Sequence, residues 1–183
     1  VGGYGYAGQT CISVQRIFVH ESRYDDFLKA FVDRVRSLPM GDPSLENTIV
    51  GPIINEQAAQ RVETWIQEAV SNGATLLTGG TRKNSFIEPA VLTHVSNNMK
   101  VCCEEIFGPV VTVTPYADLE EAFSLHNDSD FGLQAGIFTS NIDTMYRAYS
   151  QLEVGALLVN EIPTFRADHM PYGGIKQSGL GRE

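Results

Sequence analysis

The segment VVTVTPYADLEEAFSLHNDSDFGLQAGIFTSNIDTMYRAYSQLEVGALLVN, residues 110–160, alternates stretches typical of strands with stretches typical of helices. Apolar and β-branched residues predict strands over 110–116, 133–139 and 155–160. Asp118 and Glu121 form a capping pair for the first intervening helix, and a second helix is predicted over 142–152. Strands and helices that alternate in this way form βαβ units. The segment therefore predicts an α/β fold with a mostly parallel sheet and helices on both faces.

The residues before this segment continue the pattern. Further elements are predicted in chain order: a strand over 16–20, a helix capped by Ser22 with Asp25 and stopped by Pro39, a helix capped by Asn55 and ending near Asn72, and strands over 74–78 and 86–95 joined by Gly79 and Gly80. Apolar residues recur at helical spacing in the first helix. We interpret that stripe as core.

Composition excludes several classes of protein. The chain has 183 residues, of which 43% are hydrophobic, enough for one domain with a real core. A formal net charge of -9 makes nucleic acid an improbable partner, and no apolar run approaches the roughly 18 residues of a membrane span. The three cysteines do not make a disulfide framework, and no Cys/His pair has metal-ligand spacing. We expect a cytoplasmic protein without a metal site.

Two motifs carry candidate chemistry. The first is Gly8-Gln9-Thr10-Cys11, in which small neighbours can admit a substrate to a nucleophilic thiol. The second runs from Cys103 through Glu104, Glu105, Ile106 and Phe107 to Pro109 and puts a carboxylate beside an aromatic ring. The alternatives are a buried structural cysteine and an ordinary pair of solvated charges. Cys102 and Cys103 are expected to be buried structural thiols.

The glycines before Cys11 satisfy the pattern G-x-G-x-x-G over residues 3–8. We reject a dinucleotide-binding turn there, because only two residues precede Gly3 and no strand delivers the turn to a helix. We expect these glycines to allow close packing of the backbone around Cys11.

From Gly8 onward the chain resembles the catalytic domain of the NAD(P)-dependent aldehyde dehydrogenase superfamily. Five segments carry the resemblance in the family's order: Gly8 to Cys11, Gly51 to Ile54, Glu104 to Pro109, Asn127 to Phe138, and Pro171 to Lys176 followed by Ser178 to Glu183. The resemblance implies a three-layer αβα sandwich over residues 1–183.

The resemblance also implies roles for three residues. Cys11 is the expected nucleophile, which attacks the aldehyde to give a thiohemiacetal and then a thioester that water hydrolyses. Its backbone N–H is one expected donor to the oxyanion. Glu105 is expected to bind ribose hydroxyls of NAD or NADP, and Phe107 to pack beside that ribose.

Substrate contacts are expected from Asn160, Phe165 and Arg166, which lie in the loop that the family uses for substrate entry. The Arg166 guanidinium can hold an anionic group on the aldehyde, or it can form a salt bridge with Asp168 or be a surface charge. The sequence around Asp168 resembles the branch that acts on lactaldehyde-like and semialdehyde substrates.

The chain is expected to be a fragment, because the family's dinucleotide-binding domain and general-base glutamate lie upstream of Val1. The fragment alone is expected to be inactive, and the full-length enzyme to be a homo-oligomer, either a dimer or a tetramer.

Two other classes of function remain open. A cysteine-dependent hydrolase or acyl-transfer enzyme needs a histidine beside Cys11. A non-catalytic interaction domain needs Cys11 to be buried.

Overall fold

A computed structural model describes all 183 residues. The chain forms two compact units, Val1–Ala117 and Asp118–Glu183. None of the helices is long and apolar enough to cross a membrane.

The first unit is built on a four-stranded sheet. Its elements in chain order are β1 (Arg16–His20), α1 (Glu21–Arg36), α2 (Glu56–Ser71), β2 (Thr75–Thr78), β3 (Arg82–Lys83), β4 (Phe86–Ile87), β5 (Ala90–Thr93), α3 (Lys100–Cys103) and β6 (Val110–Tyr116). The strand order is β1-β6-β5-β2, with β6 parallel to both β1 and β5 and β2 antiparallel to β5. Short strands β3 and β4 form a separate antiparallel pair.

The core of this unit lies around the two central strands. All four residues of β5 and the first four of β6 are buried. Central strands covered on both faces lose the alternation of apolar and polar residues, which explains why Val110, Val111 and Val113 are all buried, with Thr112 the one polar residue among them. Helix α1 packs Val32 and Val35 into the core, as its apolar stripe predicts.

The helix caps test the predicted starts. Asn55 caps α2 as predicted, since its side chain accepts a hydrogen bond of 2.8 Å from the Ala58 N–H. The predicted Ser22 cap of α1 is wrong. Strand β1 runs directly into α1, so the last strand residue, His20, is the N-cap and its Nδ1 accepts from the Ser22 N–H at 3.2 Å.

The predicted strand over 86–95 is two strands. Glu88 and Pro89 separate β4 from β5, and proline has no N–H to donate to a sheet. The Glu88 N–H instead donates to the Thr81 carbonyl at 2.9 Å. The turn predicted at Gly79 and Gly80 is wrong. Both glycines have positive φ, but they lead into β3, and the tight turn lies at Asn84 and Ser85 between β3 and β4.

The second unit contains a βαβ motif. Its elements are α4 (Leu119–Asn127), β7 (Phe131–Gly132), β8 (Gln134–Ile137), α5 (Ile142–Gln151), β9 (Ala156–Val159) and β10 (Ile175–Lys176). Strands β8 and β9 are parallel and joined by α5, while β7 pairs antiparallel with β10. The Asp118 side chain caps α4 by accepting from the Glu121 N–H at 3.0 Å, as predicted.

The strand predicted over 133–139 is shorter in the structure, where β8 spans only Gln134–Ile137. Leu133 separates it from β7. Strands β8 and β9, with the sheet of the first unit, nevertheless give mostly parallel pairing. The predicted α/β class with a mostly parallel sheet is therefore confirmed.

Candidate active site

Cys11 lies on a tight turn of the first unit. Three consecutive residues before it, Tyr6, Ala7 and Gly8, have left-handed backbone with φ of 52°, 56° and 72°. The Ser13 N–H then donates to the Thr10 carbonyl at 3.0 Å, which closes a turn with Cys11 inside it. The Cys11 side chain is exposed and forms no disulfide. The interaction-domain alternative requires a buried Cys11, and this requirement is not met.

The second motif follows the single turn of α3. Glu105 is exposed, and Phe107 keeps 39% of its surface accessible. The backbone of Phe107 has a φ of 47°, in the left-handed region that side chains other than glycine rarely adopt. Such a conformation costs on the order of 1–3 kcal/mol and persists only where the surroundings hold it.

The two motifs meet at one concavity. A small, open depression is lined by both of them. Its lining residues are Gly8, Thr10, Cys11, Ser13, Gln15, Glu105, Ile106, Phe107, Gly108 and Val110. The structure therefore brings Cys11, Glu105 and Phe107 to the same site, although the thiol lies far from the other two in sequence.

Glycine permits the close approach of these two segments. A Cβ atom built on Gly8 would overlap the carbonyl of Gly108. At Gly3 it would lie 2.5 Å from the Val111 side chain and 2.6 Å from the Val14 carbonyl oxygen. The expected close packing around the Cys11 turn is confirmed for Gly3 and Gly8, whereas Gly5 makes only an ordinary contact of 3.6 Å with Val1.

Two glutamine side chains tie these segments to their neighbours. The Gln9 amide donates to the carbonyls of Tyr6 at 3.0 Å and Pro52 at 3.3 Å, and its oxygen accepts from the Ile54 N–H at 2.8 Å. Sequence reasoning gave Gln9 no role beyond its place in the motif. The Gly51 to Ile54 segment is thus bonded to the residues just before Cys11.

Gln15 makes the corresponding contacts with the second motif. Its Nε2 donates to the carbonyls of Glu104 at 2.7 Å and Val101 at 3.1 Å, and its Oε1 accepts from the Ile106 N–H at 3.4 Å. Sequence reasoning missed Gln15. The available signal was a polar residue of hydrogen-bonding type immediately before a strand that enters the core.

Arg61 holds the other side of the same peptide. From helix α2, its Nη2 donates to the Ile106 carbonyl at 2.7 Å, and its guanidinium lies 4.5 Å from the centre of the Trp65 ring. Stacking on an aromatic ring fixes the plane of a guanidinium. Ile106 is therefore bonded at both its N–H and its carbonyl.

The other two thiols have different surroundings. Cys102 is buried, and burial raises the pKa of its thiol, although a hydrogen bond with Thr112 opposes the rise. Cys103 is partly exposed, and its Sγ lies 3.6 Å from the Asn98 carbonyl oxygen. The prediction of two buried thiols is right for Cys102 and wrong for Cys103. Cys103 is the last residue of α3, which buries Val101 and Cys102 instead.

Histidines of this unit lie elsewhere. His20 caps α1, and His94 Nδ1 lies 3.3 Å from the Thr75 hydroxyl. Neither lines the concavity that contains Cys11. No group of three or more His, Cys, Asp or Glu side chains is arranged to hold a metal ion.

The predicted substrate residues belong to the second unit. Arg166 Nη2 pairs with Glu183 Oε2 at 2.8 Å, and its guanidinium lies 4.3 Å from the centre of the Tyr172 ring. The alternative pairing with Asp168 is wrong. Asp168 lies inside a turn closed by a hydrogen bond between the Met170 N–H and the Ala167 carbonyl at 2.9 Å.

Asn160 and Phe165 have separate local settings. Asn160 has a φ of 56°, and its Oδ1 accepts from the Thr139 N–H at 2.9 Å. Phe165 is 48% exposed, and its carbonyl accepts from the Gln134 amide at 3.2 Å. Asn160 thus stabilises the end of β9, and Phe165 is half-exposed.

Known proteins match the chain over its whole length. The sequence matches the model of the aldehyde dehydrogenase family over residues 1–183. A 3-sulfolactaldehyde dehydrogenase from Priestia aryabhattai is 46% identical over 180 residues, covering 98% of this chain and 38% of the relative. A lactaldehyde dehydrogenase from Methanococcus maripaludis is 44% identical over 177 residues, covering 97% of this chain and 38% of the relative.

Solved structures agree. An aldehyde dehydrogenase from Physcomitrella patens, in complex with the reaction product succinate, matches with a TM-score of 0.95 at 46% identity, covering 96% of this chain and 37% of that one. A glyceraldehyde-3-phosphate dehydrogenase from Methanocaldococcus jannaschii, complexed with NADP, matches with a TM-score of 0.94 at 38% identity, covering 99% and 39%. The chain spans about two fifths of the length of these proteins. By sequence and by fold, the chain belongs to the aldehyde dehydrogenase family.

Proposed function

We propose that this chain is the catalytic part of an enzyme that oxidises an aldehyde to a carboxylic acid with NAD or NADP. One observation carries the proposal. The exposed thiol of Cys11 lines the same concavity as Glu105 and Phe107.

Cys11 is the nucleophile of this proposal. Its thiolate sulfur attacks the aldehyde carbon, and the carbonyl oxygen becomes the oxyanion of a thiohemiacetal. The backbone N–H of Cys11 donates to that oxyanion. Oxidation of the thiohemiacetal leaves a thioester on Cys11, which water hydrolyses to the acid and the free thiol. The general base for this water is a glutamate outside the chain, as the family resemblance implies.

The residues beside Cys11 fit a nicotinamide cofactor. The exposed Glu105 carboxylate can accept hydrogen bonds from two ribose hydroxyls at once, and the Phe107 ring offers an apolar surface next to it. When bound, the nicotinamide supplies the hydride acceptor for the oxidation. These two residues contact one end of the dinucleotide, and residues outside the chain hold the rest.

An anionic aldehyde is the proposed substrate class. Three of the similar proteins are named for 3-sulfolactaldehyde or glyceraldehyde 3-phosphate, or contain the product succinate, and all three compounds carry an anionic group. The lactaldehyde dehydrogenase among them is named for a neutral aldehyde. Arg166 is a fixed guanidinium that can pair with a sulfonate, phosphate or carboxylate. Asn160 and Phe165 are the other proposed substrate contacts.

The experiment compares Cys11→Ala with Cys103→Ser in the protein at its full natural length. Removing the nucleophile is expected to lower kcat at least about a thousandfold, whereas the Cys103 variant retains activity. Mass spectrometry of the quenched reaction is expected to find the acyl group on Cys11. Substantial cofactor-dependent oxidation by Cys11→Ala would refute the proposal. Hydrolysis of an ester or thioester through Cys11, with no oxidation of any aldehyde by the wild type, would favour the hydrolase alternative.

A further inference from the structure

The segment that carries Glu105 and Phe107 has an unusual backbone conformation. Phe107 is left-handed at a φ of 47°, and both side chains project toward solvent and not into the core. A strained, exposed segment relaxes unless specific contacts hold it. Glu105 and Phe107 are not packed deeply enough to fix it. The buried side chain of Ile106 anchors the segment between them, and hydrogen bonds to the backbone hold the residues on either side.

Gln15 supplies two of these backbone contacts, and Arg61 supplies another at the Ile106 carbonyl. The Gln15 amide bonds to the carbonyl of Glu104 on one side of Glu105 and to the N–H of Ile106 on the other, at 2.7 and 3.4 Å. A third bond, of 3.1 Å, ties the same amide to the Val101 carbonyl in α3. Glu105 is thus bracketed by one side chain that reaches it from the Cys11 side of the concavity.

The backbone of Gln15 is itself fixed. Its carbonyl accepts from the N–H of Thr112 at 2.9 Å and from the hydroxyl at 3.4 Å, and Thr112 is only 1% exposed. Thr112 lies in β6, whose first residue follows the second motif closely. Gln15 therefore connects the two structures directly. Its backbone is bonded to strand β6, and its side chain is bonded to the exposed segment.

Only glutamine fits these partners. The three bonds need two donors and one acceptor on one flexible end group, which the glutamine amide provides. Glutamate has no donor and would place its charge against two carbonyls. Methionine has nearly the same length but neither group, and asparagine is one methylene shorter.

We infer that Gln15 is a positioning residue for the cofactor, acting through the backbone of residues 104–106 to hold Glu105 and Phe107. This inference rests on the proposed function. Gln15 is not proposed to touch the cofactor. Its loss is expected to weaken binding of NAD or NADP, while Cys11, whose turn is held by Gln9, keeps its reactivity.

The test uses Gln15→Met and Gln15→Glu in the full-length protein, with Gln67→Met on the exposed face of α2 as the matched control. For both Gln15 variants, KM for the cofactor is expected to rise about tenfold or more, with a smaller change in kcat and in KM for the aldehyde. Amide hydrogen exchange at Ile106 and Phe107 is expected to accelerate. The rate of Cys11 alkylation stays the same, and the control matches the wild type in every measurement.

Different failures are distinguishable. Unchanged cofactor KM in an active Gln15→Met enzyme overturns the inference alone. Equal losses in cofactor KM, Cys11 alkylation and melting temperature also overturn it, because they mark Gln15 as generally structural. If Gln15→Met does not fold, Gln15→Glu gives the same comparison. If the wild type shows no nicotinamide-dependent oxidation, the proposed function fails and the cofactor role of Gln15 falls with it.

Discussion

Cys11, Cys102 and Cys103 offer a direct comparison of three thiols in one chain. Reactivity depends on access and on the fraction present as thiolate. Cys11 is exposed on a turn, Cys103 is partly exposed, and Cys102 is buried with a raised pKa. Burial therefore lowers the reactivity of Cys102 in two ways. It keeps the reagent away from the sulfur, and it favours the protonated thiol over the reactive thiolate.

Limited alkylation is expected to label Cys11 first, Cys103 more slowly and Cys102 last. Because the pKa of Cys102 is raised, its labelling accelerates only at higher pH than that of an exposed thiol. Peptide mapping after short exposures at several pH values measures the order. Faster labelling of Cys102 or Cys103 than of Cys11 would contradict the assignment of Cys11 as nucleophile.

Arg166 is held in a way that suits recognition of anions. Stacking on Tyr172 fixes the guanidinium plane, while the partner carboxylate of Glu183 is 70% exposed. Exposed ion pairs contribute little stability, typically about 0–1 kcal/mol, so an anionic substrate can compete with Glu183.

The variant Arg166→Met is therefore expected to lose about 1.5–3 kcal/mol of binding to an anionic aldehyde, the range for hydrogen bonds to charged groups. Binding of a neutral aldehyde is expected to change little. Steady-state kinetics of the full-length enzyme with one aldehyde of each class measures the difference, with Arg147→Met, another paired arginine of the second unit, as control. Equal losses for both aldehydes would make Arg166 a structural residue.

Individual residues differ in how far the sequence predicts them. Cys11, Glu105 and Phe107 stand in recognisable motifs, and the structure brings all three to one concavity. Gln15 stands in no motif, and its role depends on partners about 90 residues away that only the fold brings near. The pairing of Arg166 with Glu183 could not be predicted either. Several carboxylates are close to Arg166 in sequence, and the local turns determine which of them its guanidinium reaches.

At the scale of elements, the site depends on contact between two loops. Gly8 lets the Cys11 turn touch the backbone of the second motif at Gly108, while Gly108 itself leaves room for the Val62 side chain of α2. Gly8 also has a φ of 72°, so a side chain there meets both a clash and a strained conformation.

The variant Gly8→Ala is expected to lose at least about 1–3 kcal/mol of the free energy of unfolding, and about a hundredfold in kcat because the two loops are pushed apart. Gly73→Ala separates the two causes, since Gly73 has a φ of 104° but open space around it. Gly41→Ala, with only an ordinary contact of 3.8 Å, is expected to be nearly neutral. Denaturant unfolding and kinetics of the three variants provide the measurement. A Gly8→Ala variant as active as Gly41→Ala would show that the loops need no such contact.

Prediction of elements from sequence succeeded where local signals agree and failed where tertiary contacts decide. Strands β1 and β6 have the predicted bounds, and Asn55 and Asp118 cap the helices as expected. The prediction of one long strand over 86–95 did not take Pro89 into account. Proline has no N–H to donate, and it interrupts the backbone hydrogen bonds of the sheet between β4 and β5. The His20 cap could not be foreseen, because a capping histidine is unusual and depends on the direct passage from strand to helix.

At the scale of the whole molecule, the chain has buried residues in both units but spans only about two fifths of its relatives. Buried cores favour folding of the chain by itself. Catalysis needs further parts besides folded cores. Orientation of the reactants can lower the activation barrier by about 7–11 kcal/mol, and a general base typically raises the rate ~10²–10⁴-fold.

The 183-residue chain alone is therefore expected to fold but not to oxidise aldehydes with NAD or NADP. In the proposed site Glu105 and Phe107 hold only one end of a dinucleotide, and we expect an affinity based on that end alone to be too weak to orient the ring. A thioester on Cys11 also hydrolyses slowly without the proposed external base. Circular dichroism tests folding, and NADH or NADPH production is compared with that of the protein at full natural length. Alkylation of Cys11 in the chain alone provides the control, since a reactive thiol without turnover separates missing parts from a misfolded site. Robust turnover by the chain alone would mean that the base and the rest of the cofactor site lie among these residues.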